Sequence, residues 1–182
     1  MKHAFPAGVP ALDFAGTLRV RYGPKTREML DSPESLALWF SECGITESGI
    51  DCQEADLAEA LVLREAIYRL VRARIDGEDY DEEALALVND AARRPAPVLQ
   101  LTATGRRIEA TIRQALAHVA RDTVTVLSGP DVPLLKECAN PECTQFYVDR
   151  SRGARREWCK MDPCGNKIKA AAYRARKRAV TS

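Results

Sequence analysis

Four cysteines stand in two equally spaced pairs, Cys138-Ala-Asn-Pro-Glu-Cys143 and Cys159-Lys-Met-Asp-Pro-Cys164, with fifteen residues between them. Two short cysteine loops can bring four thiolates to the corners of a tetrahedron, the arrangement a zinc ion favours. Asn140-Pro141 and Asp162-Pro163 place a turn signal ahead of the second cysteine of each pair. The same spacing also fits two disulfides or four unrelated buried thiols. Disulfides need an oxidising compartment, for which the sequence gives no sign. One structural Zn2+ held by Cys138, Cys143, Cys159 and Cys164 is the expectation. Four thiolates would close the coordination sphere and leave no position for a catalytic water.

The surrounding segments must position those thiols. Leu134-Leu-Lys-Glu reads as a strand entering the first loop. Gln145–Asp149 and Arg155–Cys159 read as two strands joined by a turn at 150–153. Gly165-Asn166 then caps a helix through Arg178, giving a hairpin-plus-helix module of treble-clef type with its last ligand at a helix N-terminus, where the dipole favours a thiolate. So small a module has little apolar core, and metal binding supplies folding energy of about 10–16 kcal/mol in such fingers. Its surface is cationic: Lys167, Lys169, Arg174, Arg176, Lys177 and Arg178 on the helix, and Arg150, Arg152, Arg155 and Arg156 on the hairpin. A basic helix suits a DNA major groove, with loop arginines on the phosphates. A solubilising face, an RNA contact and an anionic-lipid contact fit the charge as well.

Residues 138–178 resemble the CGNR zinc-finger family, whose Cys-Gly-Asn-Arg signature reads here Cys164-Gly165-Asn166-Lys167. Phe146-Tyr-Val-Asp-Arg-Ser-Arg152, Trp158-Cys-Lys-Met161 and the Arg/Lys/Ala-rich tail carry the likeness further. Lys167 keeps the charge of the family's arginine but not its planar fork. The family's finger usually follows a larger N-terminal domain, called ABATE, in proteins described as stress-induced transcription regulators. Leu12-Asp13-Phe14 and Thr17 resemble that domain, with Gly16 where the family has Asn. The resemblance implies DNA binding.

Charge divides the 182 residues in the same place: residues 1–137 carry a net −6 and residues 138–182 a net +7. Two units are expected, 1–130 and 131–182. Residues 129–137, Gly-Pro-Asp-Val-Pro-Leu-Leu-Lys-Glu, are too short and proline-rich for a slack tether, so the finger is expected to dock. Docking would let N-terminal acids compete with DNA for the finger's cations. No apolar run reaches membrane-spanning length, and the start lacks a secretory signal's apolar stretch, so a cytoplasmic location is expected.

The fold class expected is α+β, a mostly helical N-terminal domain with a small β-hairpin ahead of the finger. Residues 11–15 fit a short strand or a helical turn. Ser32-Pro33-Glu34-Ser35 starts a helix ending at Gly44, and a long amphipathic helix lies between Asp51 and Gly77 with Arg64, Arg69, Arg72 and Arg74 on its solvated face. A third helix follows Asp81 and stops at Pro95. Residues 97–112 alternate as a hairpin turning at Gly105, and a fourth helix runs from Leu116 to Ser128.

Catalytic constellations are poor. His3 and His118 are the only histidines, and Cys43 and Cys52 have no partnered spacing. No phosphate loop, nucleophile elbow or zinc-protease helix is present. A deep polar pocket gathering Asp13, Arg19 and His3 would argue for an enzyme. The reading is a non-enzymatic, zinc-dependent DNA-binding regulator whose residues 1–130 serve as a small-molecule sensor or a homodimerisation unit. The alternative is a zinc-stabilised RNA-binding or protein-interaction module.

Overall fold

The computed structural model describes residues 3–23 and 25–181, with side chains as far as Arg178. The outer limits of the two expected units, residues 1 and 182, lie outside the described residues. Residues 11–15 settle as a helical turn, α1 (Pro10–Ala15), with Leu12, Phe14 and Ala15 fully buried. A two-residue antiparallel ribbon follows, β1 (Leu18–Arg19) with β2 (Arg27–Glu28). Sequence periodicity had nothing to grip in elements this short.

Four further helices enclose the core. In α2 (Pro33–Glu42) the Ser32 and Ser35 side chains cap each other's backbone N–H groups, as the Ser-Pro-Glu-Ser run predicts. Helix α3 (Glu54–Asp76) ends at Gly77, whose φ of 72° lies in the left-handed region that an L side chain resists. Asp81 caps α4 (Glu82–Arg93), and α4 and α5 (Ile112–Ser128) both pack on α3. Trp39, Phe14 and Phe40 meet edge-on and stacked at the centre. The fold is α+β, as expected.

Three expectations need correction here. The hairpin β3 (Val98–Thr102) and β4 (Gly105–Glu109) is present, but Ile112 belongs to α5 rather than to a strand. Thr111 and Gln114 form a reciprocal cap that starts α5 four residues earlier than its apolar spacing suggests. Arg64 is also not on a solvated face: it is 3% exposed, donating to Glu28 (2.6 Å), Glu65 (2.9 Å) and Thr17 (3.3 Å). Glu65 is its own neighbour on α3, whereas Glu28 comes from β2 and reaches it only through tertiary folding. Arg69 and Arg74 are exposed and Arg72 half-buried.

The finger opens with β5 (Leu135–Glu137), antiparallel to β6 (Phe146–Val148), so the first cysteine loop is the connection of this hairpin. Arg155–Cys159 is not a strand; it is irregular chain, and β6 takes β5 as its partner instead. Asp149, fully buried, explains why. It accepts from Lys136 Nζ (2.7 Å), from Ser151 N and Oγ (3.1 and 2.6 Å) and from Arg156 N (2.8 Å), folding residues 150–156 back over β5. Burial alone would raise its pKa; the hydrogen bonds from Lys136, Ser151 and Arg156 outweigh that and hold the carboxyl below its usual range. A tight turn at 161–165 leads into α6 (Asn166–Thr181).

Strand β6 joins the two parts of the molecule through its two-residue period. Phe146 and Val148 point into the helical core, where Phe146 lies 4.9 Å from the Tyr68 ring. Tyr147 points the other way, into a small cluster with Cys138, Cys159 and Cys164. Gln145 adds polar ties, its Nε2 donating to the carbonyl of Leu12 in α1 and to that of Phe146, both at 2.9 Å. Arg72 of α3 pairs with Glu137. The hairpin is thus docked, while α6 packs mainly on the turn before it.

Candidate metal centre and nucleic-acid interface

The Sγ atoms of Cys138, Cys143, Cys159 and Cys164 lie within 4.8 Å of one another. Cys143–Cys159 and Cys159–Cys164 are each 3.8 Å apart, and none of the four is in a disulfide. Four sulfurs at roughly 2.3 Å from a central zinc would be separated by about 3.8 Å along each tetrahedral edge. A disulfide brings sulfur atoms to about 2.0 Å. The donor set therefore fits one structural zinc ion and not a pair of disulfides. Electrostatics point the same way. As bare thiols three of the four titrate unevenly: hydrogen bonds from Cys143 and Cys159 pull Cys138 down, while the contact with Cys138 pushes Cys143 and Cys159 up. A divalent cation at the centre removes that conflict, because every thiol can then ionise.

Outer groups orient the thiolates. The backbone N–H of Cys159 donates to Cys138 Sγ at 3.4 Å. Asn140, itself buried, donates from Nδ2 to Cys164 Sγ at 3.4 Å and accepts from Glu142 N at 3.1 Å. One side chain thus shapes the first loop and ties it to a ligand of the second. Asn140→Leu is expected to weaken zinc affinity about ten- to a hundredfold, read by competition with a chromogenic chelator. An unchanged affinity would show that Asn140 merely fills space.

Gly165 answers to close packing. A Cβ there would sit 2.5 Å from Met161 Sδ and 3.1 Å from the Trp158 ring. The methionine tip could move, but the half-buried indole of Trp158 packs on the cysteine cluster. The Cys-Gly-Asn run thus needs its glycine for space, φ being ordinary.

Helix α6 is unlike the others. From Asn166 to Arg178 every residue is exposed except half-buried Ile168. Its sequence contains six Lys/Arg and no Asp or Glu. Lys169 Nζ lies 5.6 Å from the Trp158 ring, Lys167 reaches Glu142 at 3.6 Å, and Arg174, Arg176, Lys177 and Arg178 are exposed. On the 150–156 segment the four arginines diverge. Arg152 and Arg155 are exposed. Arg150 is held by Asp131, its Nε at 3.1 Å and its Nη2 at 2.5 Å. Arg156 is turned inward over the Tyr147 ring (4.3 Å) and donates to the carbonyls of Trp158 and Cys159. It clamps the finger and has little left to offer a phosphate.

Asp13, Arg19 and His3 do not meet. Asp13 accepts from the N–H groups of Ala7 and Gly8 at 2.9 Å, and burial pushes its pKa up to about 6 against those hydrogen bonds. His3 bonds Glu42 at 2.8 Å, and Arg19 lies on β1. Asp13 and His3 are structural tethers in this setting. His118 is exposed on α5. Burial raises Cys43 to about 12 and Cys52 to about 11, far from reactive thiolates.

Fold and site together define a four-thiolate zinc finger built onto a helical α+β core. The family of the "Putative stress-induced transcription regulator" (ABATE) matches residues 8–130, and the CGNR zinc finger matches residues 135–177. The chain belongs to the ABATE family and carries a CGNR zinc finger at its C-terminal side. No curated protein matches it. Neither match is to an enzyme family, and no described helix is long and apolar enough to cross a membrane.

Proposed function

We propose that the protein is a DNA-binding transcription regulator of the cytoplasm, in which zinc holds the finger and α6 supplies the main contact with DNA. The observation that carries this is α6 itself: sixteen residues long, without an acidic side chain, and exposed on nearly all sides. An isolated helix of this length is marginal in water, and Arg174 with Lys177 and Arg178 places like charges three and four residues apart. A polyanion relieves that repulsion, and a helix of this diameter fits the major groove. Arg152 and Arg155 would add backbone contacts beside it. Residues 1–130 form the unit that senses an effector or pairs two copies, and 131–182 the unit that binds DNA.

Docking runs through β5 and β6 and leaves residues 166–178 exposed but for half-buried Ile168, an arrangement that does not favour masking of the finger by N-terminal acids. The test is circular dichroism of zinc-loaded protein titrated with a short duplex. Helical signal should rise as DNA binds and saturate with binding. Binding of structured RNA with the same gain, and of duplex DNA with none, would favour the RNA-binding alternative.

A further inference from the structure

A cleft of about 300 Å3 lies where the β1–β2 ribbon faces the finger, and its walls carry Arg19, Lys25, Arg27 and Lys167. Arg19 and Arg27 are direct cross-strand partners on the ribbon. Like charges placed opposite each other destabilise a strand pair, and a two-residue ribbon has little to offset them. Among the described residues, none of Arg19, Lys25 and Arg27 has an ion-pair partner, although their neighbours Arg21 and Arg64 pair with Glu65 and Glu28. Lys167 brings a fourth cation from the first turn of α6, with Glu142 3.6 Å away the nearby counter-charge. Gln145, 2% exposed, lies in the same wall, and its Oε1 has no donor.

We propose that this cleft binds a small phosphorylated molecule bridging the N-terminal ribbon and the start of α6. Two arginines on one ribbon face can engage phosphate oxygens as planar forks, with the two lysines closing from either side. The cleft is concave, at the junction of two structural units and of small-molecule size, whereas a DNA duplex requires a surface that enters or follows its grooves. Cys143 and Cys164 line the cleft as well, so a bound anion would press on both metal-ligand loops and on the base of the DNA-facing helix. The site stands independently of whether α6 binds DNA.

Zinc-loaded full-length protein should be titrated with inorganic phosphate against chloride at matched ionic strength, followed by amide NMR and melting temperature. Saturable shifts confined to residues near 16–19, 25–27, 143–145 and 167, with a rise in melting temperature, are expected. The R19Q/R27Q variant should melt at or above the wild-type temperature without phosphate, since the opposed charges are gone, and gain nothing when phosphate is added. Lys25→Gln, at an exposed position, should weaken phosphate binding several-fold and serves if the double variant fails to fold. Shifts spread along α6, or an undiminished response in these variants, would mean simple charge screening and overturn the proposal. Displacement of phosphate from these residues by a short duplex, with R19Q/R27Q losing DNA affinity, would make the cleft a backbone contact and overturn it equally.

Discussion

Removing zinc should collapse the finger and leave the helical core standing. On the metal side of β6 the apolar support consists of Tyr147, half-buried Trp158 and Ala7 around the four cysteines. That is too little to replace binding energy of about 10–16 kcal/mol. The two tryptophans report separately. Trp39 is fully buried among Phe14, Phe40 and Phe5, whereas Trp158 lies against the thiols. Chelation should red-shift and weaken the emission of Trp158 alone, and a Trp158→Phe variant should show almost no response. Cys159→Ser should reproduce the chelated state. Because Phe146 and Val148 belong to the helical core, the whole chain should also melt at a lower temperature after zinc loss. Unchanged emission and melting on chelation would contradict a structural metal.

This shared strand also decides how the protein must be tested. A fragment beginning near residue 130 would expose Phe146, Val148 and Leu135, all buried in the intact chain. Full-length protein with point substitutions keeps that core closed.

The metal site was legible because its information is local. Four residues of one type at fixed spacing, with prolines in the loops, specify a tetrahedral cluster almost without regard to the rest of the chain. The capped helices were legible for the same reason: Ser32-Pro33 and Asp81 act within one turn of themselves. What sequence could not show depends on partners distant in the chain. Arg64 looked like surface because arginine is seldom buried unless paired, and its partner Glu28 comes from a ribbon thirty-six residues earlier. Arg156 looked like one more basic residue of the turn until Tyr147 and two carbonyls absorbed its guanidinium. The partner of β6 was misassigned because Arg155–Cys159 and Leu135–Glu137 are both short and mixed in polarity, and buried Asp149 settles the choice through tertiary hydrogen bonds. A carboxylate inside Phe146-Tyr-Val-Asp149, following three apolar residues, was the available signal.

The second large effect concerns DNA. Zinc-loaded full-length protein should bind duplex DNA with an affinity set first by phosphate neutralisation. If α6 with Arg152 and Arg155 displaces counterions from roughly five phosphates, log K should fall against log salt with a slope of about −4 to −5. Arg174→Gln with Lys177→Gln removes two cations from the exposed helix and touches neither a cysteine ligand nor the helical core. That variant should keep its zinc and its melting temperature, bind all duplex sequences more weakly, and show a slope about two units shallower. The salt slope of these two proteins on one duplex is therefore the most direct measurement. A steep slope that flattens in the variant is the predicted result; a slope near zero, or one the variant leaves unchanged, would contradict DNA binding through α6 and favour a protein-interaction module.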